Sequence, residues 1–338
     1  MSLVVETDSA EEGLVRSTVR DIARGCTSRQ KSDPDGDPRC WATLKGTGLT
    51  DLRSRDSAGA RMGSTTDALI VLEEMGRSLC GGALVPRAAL VPELIHLASI
   101  RDSAVLELAE EGKLGLVLGS DFASFGHGAG HDTAWDAFPA SHALAVRDGR
   151  VYLVDLGEAT TMADLTRAER TIDGTFTDIA SIATDDFRKF ACFALLSMAA
   201  DALGASEEIL ELSTAYAKDR VQYGVAIGTF QAVQHLLADS HWRLDVLRSS
   251  LLYGAWALDG GDLPEACEAA AAAKSFANES TSIAVKNAMQ VFGGISITWE
   301  HSAHLHLRRI LVDQAVLGTG HHLVACPSSS RESADGLR

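Results

Sequence analysis

The sequence is short of positive charge, of paired cysteines and of long unbroken apolar runs, and each shortage removes a class of function. Lys plus Arg number 30 against 46 Asp plus Glu, a net charge of −16. A surface of that sign repels a phosphate backbone, so nucleic acid is excluded as a partner. The longest apolar stretch, around Phe190 to Ala200, falls well short of the roughly 18 residues of a membrane span, and no membrane association is expected. Met1 to Ala10 lacks the basic start and apolar run of a signal peptide. Cys26, Cys40, Cys80, Cys192, Cys267 and Cys326 lie far apart with no C-x-x-C pair, which predicts neither a disulfide framework nor a zinc site. The expected setting is therefore reduced and cytoplasmic. The glycine-rich run FGHGAGHD, Phe125 to Asp132, has no lysine and no helix-opening spacing, so it does not read as a phosphate cradle.

What is present is an ordinary globular composition, 46% hydrophobic and 22% charged over 338 residues, with length for about two domains. Period and punctuation divide the chain into three zones. In residues 1–113 the pattern is helical. Ser9 with Glu12 reads as a capping box, Leu14, Val19, Ile22 and Ala23 form an apolar face, and the turn formers of Ser32 to Pro38 and Asp56 to Gly63 separate the helices. A short helix around Trp41 and Leu44, and longer ones over Ala68–Leu79 and Pro86–Ser99, complete this zone. In residues 114–183 the runs LGLVLG, HALAV and RVYLVDL read as strands. The last two are joined by Asp148-Gly149, a strong hairpin signal, so the zone is expected to be a small antiparallel β domain. Residues 184–325 return to helix. Apolar residues from Phe230 to Leu258 recur at three-, four- and seven-residue steps until Gly260-Gly261, and an alanine-rich helix spans Pro264 to Phe292 before Gly293-Gly294. These helices predict a four-helix bundle, and residues 326–338 a disordered tail. The fold class is α+β, mostly α.

Between the long helices runs RVQYGVAIGTFQ, Arg220 to Gln231. This segment resembles the R-x-Q-F-G-x-x-I-x-x-F-Q stretch of the acyl-CoA dehydrogenase family. QVFGGISITWE, from Gln290, is similar to that family's Q-x-x-G-G-x-G-x-T-x-E stretch at the family's spacing, and Leu317 to Gly320 falls where the family has E-G-T. VLEEMGRSL and RVYLVDL extend the resemblance over most of the chain. The resemblance implies an N-terminal helical domain, a middle β domain and a C-terminal bundle, with FAD as cofactor, an acyl-CoA or other acyl thioester as substrate, and a related subunit or a second copy as partner in a dimer or tetramer. It implies that Arg220, Gln222, Tyr223 and Gln231 reach the cofactor of a neighbouring subunit. A planar guanidinium suits a pyrophosphate, and the carboxamides supply neutral hydrogen bonds. It implies further that Gly293 and Gly294 let backbone approach the cofactor without a Cβ in the way, with Gln290 beside them and Thr319 near the adenine or phosphates.

Two departures shape the functional expectation. The family's reaction needs a carboxylate to take the α-proton, and the two positions where the family carries its glutamate hold Leu317 and Ala194. Asp185, Asp186 and Asp201 lie near the second position in a different register and read as solvated helix ends. Glu300 matches a residue that is mainly an anchor in the family. The β zone is also short between Leu118 and His142, where only Gly119, Ser120 and Asp121 remain of a T-x-x-x-G-S-D element that faces the flavin. The leading expectation is a subunit of a flavin-dependent acyl-CoA dehydrogenase that completes the FAD site of a catalytic partner in a heterotetramer. The alternative is a divergent tailoring enzyme on the same fold, a flavin-dependent oxygenase or a cofactor-free catalyst acting alone as a homo-oligomer. The catalytic base is unassigned. His301, His304, His306, His321 and His322 lack a cysteine or carboxylate at ligand spacing, so they read as surface and interface histidines with no metal.

Overall fold

The structure, a computed structural model, describes residues 10–26, 38–54, 61–82, 84–120, 122–125 and 132–324. The Ser9 cap, Asp121, the tail 326–338 and most of both glycine- and proline-rich loops lie outside the described residues.

The first zone is built of α1 (Ala10–Cys26), α2 (Pro38–Gly46), α3 (Thr65–Arg77), a π-helical turn (Val85–Leu90), α4 (Val91–Leu97) and α5 (Ser103–Glu110). Ser64 caps α3 through a reciprocal box with Asp67, which satisfies two of the otherwise orphaned N-terminal donors. The single helix expected over Pro86–Ser99 instead begins as a π turn, closed by the Val91 N–H bonding the Pro86 carbonyl. Pro92 has no N–H to give to an α-helical ladder, and the wider turn takes up the missing bond. Arg16 and Arg20 of α1 bond Glu73 and Glu74 of α3, and the wholly buried Arg53 bonds Glu93 of α4 at 2.9 Å while lying over the Phe193 ring.

The middle zone contains β1 (Leu114–Leu118), β2 (Thr133–Trp135), β3 (His142–Arg147), β4 (Arg150–Thr161), β5 (Ala168–Ile172) and β6 (Thr177–Ser181). Asp148 and Gly149 both take positive φ, 48° and 72°, at the tip of the β3–β4 hairpin, the conformation that a two-residue primed turn requires. The expectation of a purely antiparallel sheet needs one correction, because β1 and β3 are parallel, Leu114 opposite His142 and Leu116 opposite Leu144. The chain leaves β2, turns over 136–141 and returns on the other edge of β1, a pairing that hairpin signals between sequence neighbours do not report. The strand order β3-β1-β2-β5-β4-β6, with β3 also on β4, closes five strands into a ring. The long β4 makes this closure by pairing β3 with its first half and β5 with its second, across a bulge between Leu156 and Ala159.

The last zone is α6 (Thr184–Asp219), a two-stranded hairpin of β7 (Val221–Gln222) and β8 (Val225–Ala226), α7 (Gln231–Gly260), α8 (Leu263–Phe292), α9 (Ala303–Ala315) and α10 (His321–Val324). The four longer helices run alternately up and down. Tyr216 near the end of α6 packs its ring on Phe292 at the end of α8, and Asn287 of α8 bonds Ser240 near the start of α7 at 3.0 Å. In length and composition α6 resembles a membrane span, yet 94% of its most apolar window is buried inside the protein. Its apolar residues are the hub of the main core, which reaches from α3 and α4 through the β ring to α8.

Where α3 crosses α6 the two backbones touch. A Cβ at Gly204 would overlap the carbonyl oxygen of Glu73, and one at Gly76 would overlap that of Asp201. Neither obstacle is a side chain that can swing aside, so the helices must separate to admit a methyl group. Gly204→Ala should therefore destabilise the protein by about 2 kcal/mol or more even though alanine is the better helix former, read as a lower urea midpoint.

Candidate functional site

Arg220 caps the C-terminus of α6, and its backbone carbonyl accepts from Ile227, which folds the next residues into the β7–β8 hairpin. The hairpin's two-residue tip is Tyr223-Gly224, with φ of 54° and 80°. Glycine takes this conformation freely and a bulky side chain does not. The Tyr223 ring is accordingly thrown outward, 94% exposed, with an edge contact to Phe230. Gln231 opens α7, Gln290 lies in the last turn of α8, and Gly293 and Gly294 follow with open space where a Cβ would stand, Gly293 at φ 67°. All of these positions are exposed. Because α6 and α8 end together where α7 begins, Arg220, Gln222, Tyr223, Gln231, Gln290, Gly293 and Gly294 are gathered at one end of the bundle. Gln222 donates to the neighbouring Val221 carbonyl. The Arg220 guanidinium makes no ion pair among the described residues.

Thr319 is not with them. Its loop follows α9 and is held by Asn278, midway along α8, which donates to the Gly318 carbonyl at 3.0 Å. Gln290 lies a little over three turns further on, about 18 Å along the helix. Gly320 packs against Leu195 of α6, so the loop sits over the stretch of helix that contains Ala194. Leu317, at φ 60°, donates its N–H to the Phe122 carbonyl, and His322 contacts the Ala123 carbonyl at 2.7 Å. Through these contacts the loop meets the remnant Gly119-Ser120 turn and a cleft of about 620 Å³ on the β ring, lined by Ser120, Phe122, Thr133, Arg147, Glu169 and Thr171 among others.

Residues 194–324 match the acyl-CoA dehydrogenase C-terminal domain. Over 329 residues, 92% of this chain and 95% of the relative, the sequence is 32% identical to acyl-CoA dehydrogenase IpdE2 of Mycolicibacterium smegmatis. The chain belongs to the acyl-CoA dehydrogenase family. It is also 28% identical to acyl-CoA dehydrogenase FadE34 of Mycobacterium tuberculosis, matching 91% of this chain and 46% of that longer protein. The fold is shared with a steroid ACAD variant, Tcur3481-Tcur3483 (TM-score 0.75, 23% identity, 93% of this chain and 96% of that one). It is shared equally with the ChsE4-ChsE5 complex of Mycobacterium tuberculosis (TM-score 0.75, 19% identity, 95% and 99%).

In this chain both candidate base positions are aliphatic and buried, Leu317 and Ala194. Asp185 and Asp186 sit in the first turn of α6, paired with Arg188 and Lys189, and Glu300 is exposed. Asp201 corrects the expectation of a solvated helix end. It is wholly buried and takes two bonds from Arg309 at 2.8 and 2.9 Å and one from Arg167 at 3.0 Å. Burial alone would push its carboxyl up, but Arg309 and Arg167 pull it below the usual carboxylate range. Asp313 shares Arg167, and burial, with Asp201 as a close neighbour, holds it well above that range. Among the described residues every buried carboxylate, Glu73, Glu74, Glu93, Asp136, Asp164, Asp201 and Asp313, lies within ion-pair distance of an arginine. None of them stands free as a base beside Ala194 or Leu317.

The histidines have structural partners. His301 packs on Phe292, His304 stacks on Trp299, and His306 meets the Ala205 carbonyl. No group of three metal-ligating side chains occurs among the described residues.

The Thr319 loop depends on a residue that sequence reading passed over. Lys274 of α8 is buried and donates to Asn278 Oδ1 at 2.7 Å and to the Asp313 carbonyl at 2.8 Å, tying the end of α9 to α8. Burial pushes its ammonium from 10.5 to about 7. From about pH 7 to 10 the unfolded chain therefore binds the extra proton, and stability gained through this residue rises with pH. Relative to Lys274→Met, the wild-type protein should gain about 2 kcal/mol between pH 7 and 9; chemical denaturation of both proteins across that range measures it.

Proposed function

We propose that this chain is the non-catalytic subunit of a flavin-dependent acyl-CoA dehydrogenase, and that it completes the FAD site of a related catalytic partner. One observation carries the reading. The side chains suited to a dinucleotide stand exposed at one end of the bundle, about 18 Å along α8 from the loop with Thr319, while both base positions are aliphatic. One chain thus offers two separated half-sites, with leucine and alanine at the two positions where the family carries its glutamate.

The groups present fit FAD. Arg220 has a fork of donors for the pyrophosphate; Gln222, Gln231 and Gln290 can bond neutral polar edges; Gly293 and Gly294 leave backbone uncovered; and Tyr223 offers an exposed aromatic face. Bound FAD supplies the hydride acceptor for α,β-desaturation of an acyl thioester. The role of this chain is to bind and orient, and α-proton removal falls to a carboxylate of the partner. A relative named as a dehydrogenase over nearly the full length and a fold shared with the ChsE4-ChsE5 complex support a pairing of related subunits. The partner suited to this end of the bundle is a dehydrogenase subunit that retains its glutamate. A reducing cytoplasm is the compartment that accords with three buried free thiols, Cys80, Cys192 and Cys267.

Purified alone, the chain should be colourless. Co-expressed with a related dehydrogenase subunit, it should co-purify with flavin absorbance near about 450 nm and oxidise acyl-CoA. In that complex Arg220→Ala should weaken flavin retention roughly tenfold or more, the loss of a charged bidentate contact, without dissociating the subunits. If the chain alone holds one FAD per protomer and turns over acyl-CoA, it is a self-sufficient enzyme and the proposal fails.

A further inference from the structure

Two cysteines of the main core, which the proposed function does not use, are in contact. Cys192 lies in the third turn of α6 and Cys267 in the second turn of α8, and their Sγ atoms are 3.6 Å apart. Cys192 is fully buried and Cys267 is 5% exposed. A disulfide needs the sulfurs at about 2.05 Å, so they must close by about 1.5 Å between two helices already packed together. The surroundings differ for the two thiols. Arg188 lies one helical turn before Cys192, held to Asp185 at 3.2 Å. The Cys192 thiol donates to Cys267, which lowers the Cys267 thiol and raises that of Cys192. Burial opposes the first shift, Arg188 assists it, and Asp185 and Glu268 oppose it. Cys267 is thus the member whose thiol is lowered and Cys192 its hydrogen-bond donor, the division of labour that favours one thiol of a pair as nucleophile.

We propose that Cys192 and Cys267 form an oxidisable dithiol that closes into a disulfide between α6 and α8 on meeting a hydroperoxide. The Cys267 thiolate attacks the peroxide, so that an S–O bond forms, the O–O bond breaks and the leaving oxygen departs as hydroxide or alkoxide. Cys267 is then a sulfenic acid. The Cys192 sulfur attacks it, the S–S bond forms, the S–O bond breaks, and water leaves with the thiol proton. Overall two thiols are oxidised and one peroxide is reduced to water and an alcohol, or to two waters. A thiol reductant reverses the change. The cross-link falls beside the loop that carries Thr319, since Leu195, one turn beyond Cys192, packs on Gly320, and Ser275, two turns beyond Cys267, faces His321. Oxidation would therefore tie together the two helices on which that loop rests.

The test is a thiol map of the full chain, with its partner subunit if one co-purifies. The protein is exposed to graded hydrogen peroxide, denatured, alkylated and digested. The expected product is a peptide joining Cys192 to Cys267, abolished by dithiothreitol, with a rise in Tm of about 5 °C from closing a long loop. In Cys192→Ser, which keeps a donor to Cys267 but cannot close a disulfide, dimedone should label Cys267 as the trapped sulfenic acid. Recovery of both cysteines as alkylated thiols at a dose that already oxidises methionine would overturn the proposal, as would a cross-link from either to a different cysteine. Where Cys192→Ser fails to fold, the wild-type peptide map decides alone.

Discussion

The arrangement of the whole molecule turns on two guanidiniums buried where three parts of the chain meet. Arg167 comes from the end of the β ring and Arg309 from α9, and both bond Asp201 in the middle of α6. Asp164 and Asp313 close the same cluster. Charges taken from water into this interior are costly unless each one is met, and removing a single partner leaves the others unmatched at about 3–5 kcal/mol. The cluster therefore tolerates one relative placement of ring, α6 and α9. The backbone contact of α3 on α6 is set at the same point, since Gly76 rests on the carbonyl of Asp201 and Gly204 lies one turn on. The N-terminal helices, the β ring and the bundle are thus fixed to one another around a single turn of α6.

Everything downstream of that point inherits its position. α9 runs from Arg309 and Asp313 into the loop of Leu317 and Thr319, with Lys274 and Asn278 of α8 holding the loop's two ends. The loop in turn meets Phe122 and Ala123 at the mouth of the β-ring cleft. The opposite end of the bundle is governed by different physics. There the donors of Arg220, Gln231 and Gln290 are in water and the backbone of Gly293 and Gly294 is uncovered. One end of the molecule is specified from within, and the other leaves its polar side chains and glycine backbone exposed.

How much of this the sequence discloses depends on the range of the interaction. Helix and strand limits follow from period and punctuation, so α3, α7, α8 and the Asp148-Gly149 hairpin are legible, as is the gathering of Arg220, Gln222 and Tyr223, which share one short segment. The parallel β1–β3 pair is not legible, because the chain passes through β2 between them. Neither is the role of Asp201. A polar residue in a helix reads as solvated until something 108 residues away supplies its partner. The one local hint is its setting in FALLSMAADALGAS, Phe193 to Ser206, where an acidic residue on an otherwise apolar face calls for a buried counter-charge. The π turn before α4 had its signal in Pro86 and Pro92, one helical turn and a half apart, a spacing an uninterrupted α-helix accommodates poorly.

The Tyr223-Gly224 tip carries a residue that a merely connective hairpin does not need. A two-residue primed turn is most easily made by Asn-Gly or Gly-Gly, and holding a bulky residue at positive φ costs on the order of 1 kcal/mol. Within this chain the ring's one aromatic contact is edge-on to Phe230 at 6.3 Å, and 94% of the residue stays in water. Exposed apolar surface of this extent, with Phe230 seven residues on and Ile295, Ile297 and Trp299 exposed just after Gly294, is more than an isolated surface needs. Intrachain forces do not explain the tip, since a smaller residue would relieve the strain and lose little packing. In the subunit pairing proposed above, burying the ring against the partner would recover about 25 cal/mol per Å² of apolar area, more than the strain costs, while carrying Arg220 and Gln222 to the same place.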